Sequence, residues 1–137
     1  SEPRRIYLDN AATSFPKPAA VYDAVDATSA LGVAVARGAY RRALAVQNLV
    51  DRCRKKAADV LGAESPERVV FTFNGTDSLN LALYGVLRPG DHVITSVIEH
   101  NSVLRPLREL RGRAGVEVDY VAANQDGLID PADVRAA

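Results

Sequence analysis

The residues best suited to chemistry lie in two short polar stretches, Asn74-Gly75-Thr76-Asp77 and Glu99-His100-Asn101. The first joins an uncharged, β-branched and aromatic run to a segment whose leucines recur at helical spacing. The first free N–H groups of such a helix carry the positive end of its dipole, and Gly75 has no Cβ to keep an anion away. Together with the Thr76 hydroxyl, these donors suit a phosphate group.

Both stretches also have an explanation without a ligand. Asn74 or Thr76 would satisfy the free N–H groups as an ordinary helix cap. His100 could cap the next helix or bond a backbone carbonyl, which is the usual role of a lone histidine, or its ring could lie against an aromatic cofactor. We favour the cofactor role for His100, because the loop beside it is the predicted anion site.

The other histidine, the cysteine and the lysines have structural explanations. His92 begins a predicted strand, and Cys53 lies in the apolar stripe of a long predicted helix, where it should face the core. Two distant histidines and one cysteine form no ligand cluster, so no metal site is expected. A single cysteine also forms no disulfide within the chain, which favours a reducing cytoplasm.

Composition sets broad limits on the partners of this protein. The 137 residues are 47% hydrophobic and 25% charged, as in an ordinary globular domain. Because 17 basic residues balance 17 acidic ones, no net field attracts nucleic acid or an anionic membrane. No apolar run approaches the length of a membrane span. We expect a soluble, cytoplasmic protein.

The elements that position the two polar stretches alternate between strand and helix from residue 69 onward. The pattern predicts helices from about Pro18 to Gly32, 43–61, 75–87 and 102–114, strands at 69–73, 92–97 and 116–121, and a last helix opened by Asp130-Pro131. Such repeats are βαβ units and require a parallel sheet, so the fold class is α/β. Ligands bind at the carboxyl ends of such strands, which places the two polar stretches side by side.

Five stretches of the chain resemble one family in the same order and spacing. They are YLDNAATSFPKP, ARGAYRRAL, PERVVFTFNGTDSLNLAL, LRPGDHVITSVIEHNSVLRPL and GVEVDYVAANQDGLIDPADV. They resemble the N-terminal part of cysteine desulfurases and selenocysteine lyases, in the class V aminotransferase group. The resemblance implies an incomplete large domain of the type I fold of enzymes that use pyridoxal 5'-phosphate (PLP), a mostly parallel sheet with flanking helices. Residues 1–137 would be its N-terminal segment and first part.

The resemblance also implies roles for individual residues. Gly75 and Thr76 match the turn that binds the cofactor phosphate, and His100 matches the histidine that stacks on the cofactor ring and assists proton transfer. Asn10-Ala11 and Arg37 match segments near the substrate, the latter close to a dimer interface. Tyr40 departs from the pattern, since many relatives have histidine there, and this leaves the substrate open.

The activity implied for the complete enzyme is cleavage of the C–S bond of cysteine, giving alanine and a transferable sulfur. A homodimer and a sulfur-acceptor protein are the implied partners. The lysine that binds the cofactor aldehyde as a Schiff base and the cysteine that takes the sulfur should lie beyond residue 137, because Lys17, Lys55 and Lys56 lack the required setting. We therefore expect this chain to be inactive alone. The alternatives are another class V enzyme, such as an aminotransferase or a C–S lyase, and a structural fragment that needs a complementing chain.

Overall fold

The computed structural model describes residues 6–32, 34–35 and 37–137. They fall into two units, one ending at Val70 and one beginning at Phe71. Ala36, the first residue of the ARGAYRRAL motif, lies outside the described residues. The elements described are helices α1 Ala19–Ser29, α2 Arg41–Leu61, α3 Gly75–Val86, α4 Asn101–Ala114 and α5 Pro131–Ala136, the 3-10 turn Pro66–Arg68, and strands β1 His92–Ser96 and β2 Glu117–Val121.

The first unit contains α1 and α2. As predicted, α1 begins directly after Pro18, but it ends at Ser29 and the chain turns through Gly32 at φ 60°. Helix α2 ends at Leu61, and the next residue, Gly62, has the left-handed φ of 66° that commonly terminates helices. Arg54 then donates from Nε to the Val69 carbonyl over 3.1 Å, which ties α2 to the segment after the 3-10 turn. None of the described helices is both long and apolar enough to cross a bilayer.

The prediction that Cys53 faces a core is wrong, because its side chain is exposed. Helix α2 buries Ala43, Val46 and Ala58. Further along the same apolar stripe, Val60 is 85% exposed. The helical period identifies the apolar face of a helix, but burial also needs neighbouring residues that cover this face.

The strand predicted at 69–73 is also wrong. The backbone is extended at Val69, with φ −95° and ψ 115°, yet no described strand pairs with residues 69–73. A strand exists through hydrogen bonds to a neighbour, so a suitable composition alone does not form one. The segment instead reaches α3 as a connection without regular secondary structure, and the boundary between the two units lies within it.

The second unit contains the predicted βαβ arrangement. Strands β1 and β2 pair in parallel, with His92 opposite Glu117 and Ser96 opposite Val121. Helix α4 connects them, ends at Ala114 before the left-handed Gly115 with φ 67°, and starts one residue earlier than predicted. This pairing confirms the α/β class and the parallel sheet, with two described strands where three were expected.

The core of the second unit lies between the helices and the sheet. Leu107 of α4 is fully buried, and Leu110, Val116 and Val118 form one cluster with it. Leu83 and Leu87, from α3 and its C-terminal end, pack against the same cluster. The apolar faces of α3 and α4 therefore fix the two helices to each other, and their N-terminal ends carry the two polar stretches.

Candidate functional site

The N-terminus of α3 is capped but keeps free hydrogen-bond donors. The Asn74 side chain accepts from the Asp77 N–H at 2.9 Å, and the Asn74 carbonyl accepts from the Ser78 N–H at 3.1 Å. No described residue accepts a hydrogen bond from the N–H of Gly75 or Thr76, or from the Thr76 hydroxyl. The predicted cap is thus confirmed for Asn74, and it leaves three donors available to an anion.

Gly75 has no structural requirement for glycine among the described residues. Its φ is not in the left-handed region, and a Cβ built on it would meet no atom within 4 Å. Backbone conformation and close packing are the usual reasons for a glycine, and neither applies here. The open space beside its Cα is what close approach of an anion would require.

His100 caps α4 with its own ring. Its Nδ1 accepts from the Ser102 N–H at 3.1 Å and lies 2.8 Å from the Ser102 hydroxyl. Because Nδ1 accepts, the neutral ring carries its proton on Nε2. The structural role considered for His100 is therefore confirmed, and this role uses Nδ1 alone. No described residue forms a hydrogen bond with Nε2.

A cleft of about 260 Å³ brings the two polar stretches together. Its lining residues come from the first two turns of α3 and α4 and from the residue before α4: Thr76, Asn80, His100, Asn101, Ser102, Arg105 and Pro106. The prediction that the two stretches lie side by side is confirmed, although the strand expected before the first one is not formed. We call this space the α3–α4 cleft.

Arg105 and Asn80 line the α3–α4 cleft and were not predicted as site residues. Arg105 forms no ion pair within the part of the chain that the structure describes. Asn80 follows Thr76 by four residues, which places both on one face of α3. That helical spacing is the signal that could have identified Asn80. For Arg105, the corresponding signal is its position one helical turn past the N-terminus of α4.

The remaining predicted site residues lie in the first unit. The Asn10 side chain accepts from the Phe15 N–H at 3.2 Å, and Ala11 and Arg37 are exposed. Their proximity to a substrate stays a prediction. His92 pairs through Nε2 with Asp119 at 2.8 Å, as expected of a structural histidine. The described residues contain no group of His, Cys, Asp or Glu side chains able to hold a metal ion.

Comparison with known families identifies the class of this chain. The family model of class-V aminotransferases matches residues 6–137. The chain belongs to this family, whose enzymes depend on PLP. The resemblance inferred from the motifs is thereby confirmed.

Individual relatives narrow the comparison. The chain is 33% identical over 138 aligned residues to the cysteine desulfurase IscS of Dictyoglomus turgidum, covering 98% of this chain and 34% of that relative. The apo structure of a cysteine desulfurase from Thermococcus onnurineus NA1 superposes with a TM-score of 0.79 at 32% identity, covering 93% of this chain and 32% of that one. The chain thus spans about a third of the length of these relatives.

A more distant structure supports the fold alone. It is a mutant of C-DES with glycine covalently linked to its PLP cofactor, at 19% identity and a TM-score of 0.68, covering 87% of this chain and 31% of that one. Together with the first superposition, it establishes the type I fold of PLP enzymes.

The α3–α4 cleft fits the phosphate end of this cofactor. A phosphate dianion accepts several hydrogen bonds, and the free N–H groups of Gly75 and Thr76 and the Thr76 hydroxyl are donors at one helix terminus. The missing Cβ of Gly75 leaves room for its oxygens. Arg105 adds a positive charge to the lining of the cleft.

Proposed function

We propose that residues 1–137 are the N-terminal segment and the first part of the cofactor-binding large domain of a PLP-dependent cysteine desulfurase. One observation carries the proposal. Thr76, which carries two of the three free donors at the start of α3, and His100 line one cleft, and Gly75 with the third donor directly precedes Thr76. Similarity to cysteine desulfurases over nearly the whole chain supports the same activity.

Three residues have direct roles in this proposal. Gly75 and Thr76 would bind the cofactor phosphate through their N–H groups and the Thr76 hydroxyl. His100 would lie against the ring and hold a proton at Nε2, because Nδ1 is occupied by the cap of α4. When bound, PLP supplies an electron sink for negative charge that develops on the substrate. The residues of this chain bind one end of the cofactor and orient a proton near the other.

The overall reaction would break the C–S bond of cysteine and form an S–S bond to a thiol of the enzyme. Cysteine and the thiol give alanine and a persulfide, with no net change in electrons or atoms. The thiol and the lysine that binds the cofactor aldehyde belong to parts of the enzyme other than residues 1–137. A homodimer, a sulfur-acceptor protein and a cytoplasmic location are further proposals, and they rest on the resemblance.

A different class V reaction is the second candidate, and Tyr40 favours it. This residue occupies a position where many relatives have histidine. Its ring packs beside Gly38, so closely that a Cβ on Gly38 would lie 2.7 Å from Tyr40 Cε1. A bulky phenol in place of an imidazole would change substrate contacts and thus the amino acid accepted. Incubating the full-length protein with cysteine and measuring alanine and persulfide separates the two candidates. An aminotransferase converts cysteine to its 2-oxo acid, and a C–S lyase converts it to pyruvate, ammonia and sulfide, so neither forms alanine from it.

The test of the cofactor site compares two glycines of α3 in the full-length protein. Gly75→Ala and Gly85→Ala each place a methyl group in open space, so neither should lower stability. We expect Gly75→Ala to weaken PLP binding by about tenfold or more, because the methyl group enters the space that the phosphate needs. Gly85→Ala should bind PLP as the wild type does. The visible absorbance of bound PLP during titration gives both affinities.

Two results would contradict the proposal. Equal PLP affinity in both glycine variants would mean that the phosphate does not bind at Gly75. A wild-type protein that binds no PLP would contradict the cofactor assignment as a whole.

A further inference from the structure

Pro106 leaves one carbonyl of α4 without its helical donor. In a regular helix the N–H of residue 106 would donate to the carbonyl of Ser102, and proline has no N–H. Ser102 is buried, and buried carbonyls are normally paired. The Ser102 carbonyl therefore needs a donor from another element.

Asn80 of α3 supplies that donor. Its Nδ2 lies 3.5 Å from the Ser102 carbonyl oxygen and 2.8 Å from the Thr76 carbonyl oxygen. A primary amide has two N–H groups, so it can donate to both carbonyls at once. The contact to Thr76 has an ordinary hydrogen-bond length, and the contact to Ser102 is longer than usual and correspondingly weak.

The two contacts complete a connection between the predicted phosphate turn and His100. Thr76 follows Gly75 in the turn, and its carbonyl accepts from Asn80. Asn80 reaches Ser102, whose N–H and hydroxyl contact Nδ1 of His100. Every step is a hydrogen bond between residues that line the α3–α4 cleft. A shift of α3 against α4 would therefore move the phosphate donors relative to the imidazole ring.

We propose that Asn80 is a positioning residue that sets the distance between the phosphate turn and His100 through the carbonyl freed by Pro106. The inference rests on the proposed function, since the two ends matter when one cofactor spans them. Asn80 itself touches neither reacting atoms nor the proton on Nε2. It acts through Thr76 and Ser102.

The experiment uses the full-length protein loaded with PLP and compares Asn80→Ala with Tyr84→Phe. Tyr84 also joins α3 to α4, through a 2.8 Å hydrogen bond to Glu109, but it does not line the α3–α4 cleft. We expect Asn80→Ala to weaken PLP binding about three- to tenfold, the range for one hydrogen bond. It should also change both the ³¹P shift of the bound phosphate and the visible circular dichroism of the ring. Tyr84→Phe should change neither signal.

A second pair of variants tests the part played by Pro106. Pro106→Ala restores a helical N–H for the Ser102 carbonyl, so the contact to Asn80 becomes redundant. In that background, Asn80→Ala should cause a clearly smaller loss of PLP affinity than in the wild type. Stability is not the readout, because alanine is a better helix former than either residue it replaces.

Three results would overturn the inference. They are an Asn80→Ala protein whose spectra match those of Tyr84→Phe, a change confined to the phosphate signal, and an equal loss of affinity with and without Pro106. If the wild type binds no PLP, the proposed function fails separately. The connection is then judged in the cofactor-free protein by the ¹⁵N shifts of the His100 ring, which Asn80→Ala should alter. Unaltered shifts would refute it.

Discussion

Two loops of small polar residues, one in each unit, use their hydrogen-bonding groups differently. In the first unit, Asn10 accepts from the Phe15 N–H, and the N–H groups of Ala12 and Thr13 both donate to the Asp9 carbonyl. The Tyr7 hydroxyl also lies 2.9 Å from the Asp9 carbonyl oxygen and 2.8 Å from that of Thr13. In the second unit, the turn at Gly75 and Thr76 leaves its donors without described acceptors.

The Asn10 loop stabilises its own conformation with its hydrogen-bonding groups, whereas the Gly75 turn keeps donors free for a ligand. Composition does not distinguish them, because asparagine and small residues occur in both. The distinction lies in which backbone donors are already paired. It follows that the Asn10 loop should respond to mutation chiefly through its own stability, and the Gly75 turn chiefly through ligand affinity.

The largest effect is expected from shortening a buried side chain in the unit that carries each loop. Leu107→Ala, in the core of the second unit, should lower the free energy of unfolding by about 3 kcal/mol. Val46→Ala, buried on α2 of the first unit, should cost about 2 kcal/mol, since it removes two carbon atoms where Leu107→Ala removes three. Urea unfolding of the full-length protein, followed by hydrogen exchange in each unit, measures both. Equal losses would mean that the first unit has a core comparable to the second.

A smaller effect is expected from replacing the asparagine of each loop by alanine. Asn74→Ala removes the cap of α3 and should cost about 1 kcal/mol of stability, and it should weaken PLP binding because the free donors lose their orientation. Asn10→Ala removes one hydrogen bond and should cost about 1 kcal/mol or less. The ³¹P signal of bound PLP should respond to Asn74→Ala alone. A response to Asn10→Ala would mean that the first loop also contacts the phosphate.

The smallest effect is expected at the contact between Tyr84 of α3 and Glu109 of α4, which lies away from the α3–α4 cleft. The hydrogen bond to Glu109 raises the pKa of Tyr84 above its usual value. A raised folded-state pKa favours the protonated phenol, so the contribution of this contact is complete below the unfolded pKa of about 10 and is lost as pH rises through the folded pKa. Glu109→Gln should lower the pKa of the phenol, as followed by the ultraviolet absorbance of tyrosinate. PLP binding should not change, in contrast to variants at the cleft end.

Local signals predicted most of the helices and their caps. Pro18, Gly62 and Asn74 mark helix ends in the structure as their types suggested. The segment at 69–73 was predicted incorrectly because a strand depends on a partner that no local pattern supplies. The predicted burial of Cys53 was wrong for a related reason, since no described residue covers its side chain, although Val46 of the same stripe is buried.

The candidate site was predictable in part. The alternation of strand and helix predicted the Gly75 turn beside His100, although one of the two strands on which that prediction relied is not formed. The Asn80 contact was not predictable by itself, because it needs α3 and α4 in register. The proline inside a predicted helix was nevertheless visible in the sequence, and it indicates a carbonyl in need of a donor.

The ring of His100 illustrates how folding prepares a site in advance. Its rotation is already restricted by the cap of α4, so the side-chain entropy lost on ordering is part of the folding free energy. Immobilising a side chain at the moment of binding costs about 0.5–1.5 kcal/mol. A ligand that stacks on this ring would not incur that cost, and its affinity would be correspondingly higher than for a freely rotating histidine.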